Sequence, residues 1–312
     1  MTIDRLTEQI KQYAYDLGFS KVGVARAERL DEESEQLRHW LDRGYHGTMS
    51  WMEPNFEKRA DPRNILPDAR SVIAVALNYF TPAQHNSDQS VGKISRYAWG
   101  DDYHDVLTAR LETLLGYIHS IEPASEGKLY VDTGPVMDKA WAQRAGLGWK
   151  GKHTNVITQE YGSWVFLGEI ILNLELEYDE PATDHCGTCT LCIEACPTQA
   201  IVEPYVVDSN RCISYLTIEH RGEIPADLGE KFEGWIYGCD ICQDVCPWNQ
   251  KFSTVAPVKE FQPREQNLNP EPKAILEMNQ EQFSERYRKS PIKRTKLAGL
   301  KRNARIVLSS TQ

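Results

Sequence analysis

The first 185 residues of this 312-residue chain contain no cysteine. No apolar run approaches the roughly 18 residues that cross a bilayer, so no membrane-spanning helix is expected. The opening segment, MTIDRLTEQIKQYAYDLGF, is charged throughout. It lacks the apolar core and small-residue cleavage site of an export signal, which points to a cytoplasmic location. Low-complexity segments are absent, and so are internal repeats apart from two cysteine groups. Cations are outnumbered, and the net charge of −10 argues against general nucleic-acid affinity. With 41% hydrophobic and 26% charged residues, the chain has the balance of a soluble globular protein. Its length allows two or three structural units.

One stretch lacks acids entirely. From Arg286 to Arg305, RYRKSPIKRTKLAGLKRNAR holds nine Lys or Arg. This is either a footprint for phosphates, with Lys293, Arg294, Lys296, Lys301 and Arg302 as contacts, or a solvated helix face.

All eight cysteines lie between Cys186 and Cys246. In a reducing compartment they read as metal ligands rather than four disulfides. Cys186, Cys189, Cys192 and Cys196 follow C-x2-C-x2-C-x3-C-P, closed by Pro197, which is the bacterial ferredoxin spacing. In the second group Cys212 stands upstream of Cys239, Cys242 and Cys246, again closed by a proline, Pro247. Structural zinc is the competing reading of any C-x2-C pair. A run of four with proline, repeated once and using every cysteine, favours two [4Fe–4S] clusters. The last cysteine of each run points to the other cluster. Cluster one therefore takes Cys186, Cys189, Cys192 and Cys246; cluster two takes Cys196, Cys212, Cys239 and Cys242.

Upstream, helices and strands alternate. The pattern predicts helices at 2–17 (with Thr2 as cap), Asp31–Asp42, Tyr103–Ile121 and Val136–Ala145. It predicts strands at Lys21–Ala25, Ser71–Tyr79, Lys128–Val131 and Ser163–Leu172. Such alternation implies an α/β domain. Three local signals compete within it. Gly146-Leu147-Gly148-Trp149-Lys150-Gly151 matches G-x-G-x-x-G but follows a helix, so it lacks the strand that a dinucleotide site requires. Asp102-Tyr103-His104 opens D-x-H-x-x-G, a cobalamin-ligand motif, yet Leu107 replaces its glycine. Asp132 stands at a strand end before a sharp turn, Thr133-Gly134-Pro135. There it either caps the next helix or serves as a proton donor beside a reduction site.

Taken together, Glu57-Lys58-Arg59, Arg96, Trp99 through Asp105, Val131-Asp132-Thr133-Gly134, Arg144 through Gly148, Glu160 through Ser163, Arg211 through Ser214, Tyr237 through Asp240 and both cysteine runs resemble the epoxyqueuosine reductase (QueG) family. The resemblance runs over nearly the whole chain. It implies an α+β protein with a nitroreductase-like α/β cobalamin-binding domain at 1–175, a ferredoxin-like domain with two [4Fe–4S] clusters at 176–252, and a short, basic, partly helical region at 253–312. It implies base-off cobalamin without a histidine ligand, near Arg59, Ser95, Lys152, His153 and Ser214. The implied reaction reduces epoxyqueuosine to queuosine at the wobble position of tRNA with a GUN anticodon, with Asp132 as proton donor and Tyr103 and His104 beside it. Lys139 stands where an arginine is expected to touch substrate. An external low-potential electron donor and a monomer are also implied. Relatives continue into HEAT-like repeats, whereas here 66 residues follow Cys246, so the basic region gains importance for tRNA. A reductive dehalogenase and a ferredoxin-type electron carrier are the alternatives.

Overall fold

The computed structural model describes residues 2–86 and 91–310. Its central feature is a four-stranded sheet built from β1 (Lys21–Arg26), β2 (Ser71–Asn78), β3 (Gly127–Tyr130) and β4 (Val165–Leu172), in the order β1-β2-β4-β3. Every pairing is antiparallel, with Lys21 opposite Ala76, Ser71 opposite Leu172 and Tyr130 opposite Glu169. The α/β domain expected from the alternation is thus built on an antiparallel sheet, which makes the mixed helix and sheet content α+β. The helices return the chain so that neighbouring strands are entered from opposite ends, and alternation along the chain does not reveal this.

β2 is apolar at nearly every position because both of its faces are covered. On one face α1 (Ile3–Asp16) and, beyond α2 (Asp31–Asp42) in the chain, α3 (Tyr103–Ile121) deliver Leu6, Ile10, Leu107, Leu111, Leu114 and Ile118 at helical spacing. On the other, α4 (Asp138–Arg144) packs Trp141 and Ala142 against Val72, Ala74 and Ile171. Thr2 occupies the N-cap of α1, but its side chain makes no cap hydrogen bond. The helix starts instead on the main-chain bond from Leu6 N–H to the Thr2 carbonyl. The glycines at 146–151 serve packing. A Cβ on Gly148 would stand 2.2 Å from the Ile157 carbonyl oxygen, so only glycine lets Trp149–Lys150 pair with Val156–Ile157.

The cysteine segment is tied into this framework. Trp235–Tyr237 pairs in parallel with Lys93–Ile94. The Asp240 carboxylate, between two cysteines, accepts from Ser95 Oγ at 2.5 Å and the Arg96 amide at 2.7 Å. Ser163 Oγ donates to Gln243 at 2.9 Å, and the Asn249 carboxamide accepts from the Ser163 amide at 2.6 Å. Val258 and Phe261 fill the core over α3, so the C-terminal region and the first domain share side-chain packing. The last helix, α5 (Lys296–Ser309), packs Leu300, Ala304 and Val307 around Ile236 and Tyr237.

Candidate active site between two cavities

A cavity of 410 Å³ lies between the sheet and the cysteine segment. A wider one, 1920 Å³, opens beside it, and both are lined by Tyr97, Tyr103, Asp132, Asp138, Lys139 and Thr154. Asp132 is thus at their junction. It stands two residues beyond β3, and the turn holds Asp132 at φ +52° and Gly134 at φ +137°. That backbone aims the carboxylate at Tyr103, whose hydroxyl donates to Oδ2 at 2.5 Å. Burial, and then the Asp132 charge, pushes the Tyr103 phenol well above its ordinary value, so it remains a donor. The Tyr103 ring is clamped against Phe166, with centroids 4.3 Å apart and planes 4° from parallel. His104 Nδ1 bonds Asp102 at 2.7 Å and its Nε2 lies 3.8 Å from Asp132. Burial alone would lower its pKa; the hydrogen bond and charge of Asp102, with Asp132, override burial and raise it.

The other expected residues divide. Ser95, His153 and Ser214 line the smaller cavity, and Arg59 lines the larger. His153 Nε2 is buried without a protein partner, and burial followed by the nearby Lys139 lowers its pKa to about 4, so the ring is neutral. Arg59 donates to the carbonyls of Gly134 and Trp51, each at 3.1 Å, and so grips the Asp132 loop. Lys139 reaches Asn155 Oδ1 at 3.0 Å from the cavity wall, its pKa lowered by burial against the pull of Asp132 and Asp138. Lys152 lies outside both linings. Its ammonium binds the carbonyls of Gly187 and Cys189 and braces the first cysteine loop.

In the basic stretch, Lys293, Arg294 and Lys296 line the larger cavity, while Lys301 and Arg302 do not. Arg302 turns inward, donating to the carbonyls of Leu216, His220 and Gly222 at 2.6–2.8 Å. Its guanidinium is engaged in holding the chain and is not free for phosphate. Sequence reasoning also passed over Trp51, Asp138 and Glu169. Only Glu169 left a signal, an acid within the apolar run VFLGEIIL.

The cysteines gather across their two runs. Cys186 packs against the cluster of Trp149, Ile157 and Cys246, and Cys212 and Cys239 both pack against the cluster around Ile213 and Trp235. Burial is the first cause raising the Cys192 pKa to about 11, followed by Cys186, Cys246 and Cys189. Cys242 is raised by burial and then by Cys212, Cys192 and Cys196. Among the described residues, no three His, Cys, Asp or Glu side chains form a group that could hold a single metal ion. Thiolates that each bind a separate iron of a cubane stand around a larger centre. The Ala200 amide donates to Cys196 Sγ at 3.2 Å, a bond of the kind that tunes a cluster sulfur. Of the eight, only Cys196, Cys212, Cys239 and Cys242 line the smaller cavity.

A cysteine-rich segment opening onto a cavity with an aspartate, a phenol and an imidazole defines an iron–sulfur oxidoreductase. A family model described as "4Fe-4S double cluster binding domain" matches residues 185–249, and another, "Epoxyqueuosine reductase QueG, DUF1730", matches residues 59–133. The chain is 53% identical to the epoxyqueuosine reductase of Synechocystis sp. over 88% of its length and 94% of that protein. It is 48% identical to that of Cellulophaga algicola over 97% and 98%. Among solved structures, an epoxyqueuosine reductase with a tRNA-Tyr epoxyqueuosine-modified stem loop superposes with a TM-score of 0.92 at 34% identity, covering 98% of this chain and 81% of that one. The Bacillus subtilis enzyme with its catalytic aspartate loop swung out of the active site gives 0.91 at 34%, over 98% and 82%. The chain belongs to the epoxyqueuosine reductase family, binds iron–sulfur clusters through its cysteine segment, and is an oxidoreductase.

Proposed function

We propose that this protein reduces epoxyqueuosine to queuosine at the wobble position of tRNA, with base-off cobalamin in the paired cavities and Asp132 as proton donor. One observation carries the reading. Asp132 sits where a cavity walled by Cys196, Cys212, Cys239 and Cys242 meets one of mixed charge whose rim includes Lys293, Arg294 and Lys296 of the basic stretch. Electrons arrive from one side and a polyanion from the other.

The cavity residues fit cobalamin. The smaller cavity combines apolar walls at Val156, Val165, Leu167 and Ile213 with hydroxyls at Ser95, Ser163 and Ser214, and His153 brings an unpartnered buried nitrogen. These groups suit a large macrocycle rimmed with amides. When bound, cobalamin supplies a strongly reducing cobalt nucleophile. The chain contributes the rest. Opening an epoxide leaves an alkoxide, and the overall reduction takes two electrons and two protons, releasing water. Asp132 delivers a proton to that oxygen; Tyr103 orients the Asp132 carboxyl, and His104, with Nε2 3.8 Å away, is placed to supply Asp132 with that proton. Lys139 reaches the substrate from the cavity wall.

The grouping of thiols supports the crossed ligation, with the cluster of Cys196, Cys212, Cys239 and Cys242 next to the reaction and that of Cys186, Cys189, Cys192 and Cys246 feeding it. In this reading residues 1–175 form a nitroreductase-like cobalamin domain, 176–252 the two-cluster domain and 253–312 a tRNA-contacting region. The protein acts as a cytoplasmic monomer on tRNA of the GUN class, with an external low-potential donor. In single-turnover assays on an epoxyqueuosine-bearing stem loop, Asp132→Asn should slow product formation by on the order of 10²–10⁴-fold, with cluster spectra and RNA affinity unchanged. Undiminished turnover overturns the assignment.

A further inference from the structure

Behind the Asp132 loop lies a pair of acids that the chemistry above does not use. Glu169 stands on β4 between Ala74 of β2 and Tyr130 of β3, on the same face as Leu167 and Ile171. It is 0% exposed, and neither of its carboxyl oxygens has a hydrogen-bond donor. The carboxyl facing it belongs to Asp138, the first residue of α4, and Asp138 Oδ1 is likewise buried without a donor.

Two ionised carboxylates cannot satisfy each other, because neither can donate. One proton placed between them converts two orphaned acceptors into a hydrogen-bonded pair and removes one charge from the interior. The surroundings decide which partner carries it. The groups acting on Glu169 are both acids, Asp138 and Asp132, and with burial as the first cause they raise its pKa well above the ordinary range. Asp138 is raised by burial too, but its anion is favoured by the main-chain amides of Asp138 and Asp132 and by the cations Lys139 and Arg59. The proton therefore belongs to Glu169 and the charge to Asp138.

The Asp132 loop needs such support. Asp132 is a non-glycine residue in the left-handed region, a conformation that persists only where its surroundings enforce it. Tyr103 holds its carboxylate, Arg59 holds the Gly134 carbonyl, and Asp138 shares both cavity walls with Asp132. We infer that Glu169 is a positioning residue: kept as a neutral acid, it donates to the Asp138 carboxylate, which in turn holds the backbone of the loop that carries Asp132. This role rests on the reading of Asp132 as proton donor. The proton stays within the pair during turnover, so no step needs a co-reactant beyond those of the reaction itself.

The test uses the purified cluster-loaded protein. Infrared difference spectra at neutral pH between wild type and Glu169→Gln should contain a protonated-carboxyl stretch that shifts in deuterated water and is lost in the variant. Its absence overturns the shared proton. In turnover, Glu169→Leu should lower kcat on the order of tenfold to a hundredfold, with the KM for stem loop and the cluster absorbance unchanged. Glu169→Gln, whose amide can still donate, should restore kcat to within about twofold of wild type, the loop geometry being kept. If Glu169→Gln loses as much as Glu169→Leu, the proton itself is transferred and the positioning role is overturned. Should Glu169→Leu fail to fold, the infrared band and Glu169→Gln still decide. Full turnover in Asp132→Asn overturns the proton-donor reading and with it the loop's role, a failure distinct from a missing infrared band.

Discussion

A histidine without a second partner illustrates how burial sets charge at single residues here. His85 lies edge-on to both Trp99 and Trp235 and shares one hydrogen bond through Nδ1 with the Leu268 carbonyl, while Nε2 has no partner. Burial lowers its pKa to about 4. In the unfolded chain the same ring binds a proton near the ordinary histidine value of about 6.5, so the unfolded state gains protons first as pH falls. The native state should therefore lose stability between about pH 6.5 and 4 on this account. Denaturant unfolding of His85→Gln should show a smaller drop than wild type across that interval; identical drops contradict the neutral buried ring. Asp132 stood out at the same scale, because a strand end and a Thr-Gly-Pro turn are local patterns, whereas Tyr103 and His104 entered only through the resemblance, their approach to Asp132 being made by the fold. The roles of Lys152 and Arg302 were not legible. Their cations are consumed by carbonyls that lie 35 or more residues away in sequence, at Gly187 and at Leu216, His220 and Gly222.

At the level of elements, apolar periodicity located α3, which buries one face, and a continuous apolar, β-branched run located the strand start at Ser71, which buries both. Strand direction escaped, because it depends on which end of the sheet each connection reaches. The cysteine segment carries its partners in its spacing, and its grouping is open to test. Replacing Cys246 with alanine should strip the cluster built mainly from Cys186, Cys189 and Cys192 and lower bound iron by about half. Loss of iron confined to the other cluster would contradict the crossing. Helix α5 yields a second prediction. Arg302→Ala leaves the carbonyls of Leu216 and His220, both at least partly buried, and that of Gly222 short of a donor and should destabilise the fold by about 1–3 kcal/mol in thermal unfolding. An unchanged midpoint, with weakened RNA binding instead, would return Arg302 to the phosphate-contacting set.

Across the whole molecule, the larger cavity is lined by both signs of charge. Arg43 and Arg294 are paired there with Glu203 and Glu219, Lys293 and Lys296 come from the basic stretch, and Trp51 stands half-exposed with the Arg294 guanidinium 5.0 Å from its ring centre. The acid-free stretch Arg286–Arg305 supplies three of the cavity's cations, and the cavity itself is assembled from segments spread over most of the sequence. Neutralising Lys293 and Lys296 together should weaken stem-loop binding and reduce the slope of log affinity against log salt by roughly one for each phosphate no longer neutralised. An unaltered slope would identify them as solvated surface.

The most direct test of the account is anaerobic reconstitution with iron, sulfide and cobalamin, followed by incubation with an epoxyqueuosine-bearing tRNA stem loop under a strong reductant. Mass spectrometry of the digested RNA should find queuosine from the wild-type protein and almost none from Asp132→Asn. Cobalamin bound and clusters reduced, with epoxyqueuosine left intact by the wild-type protein, would contradict it.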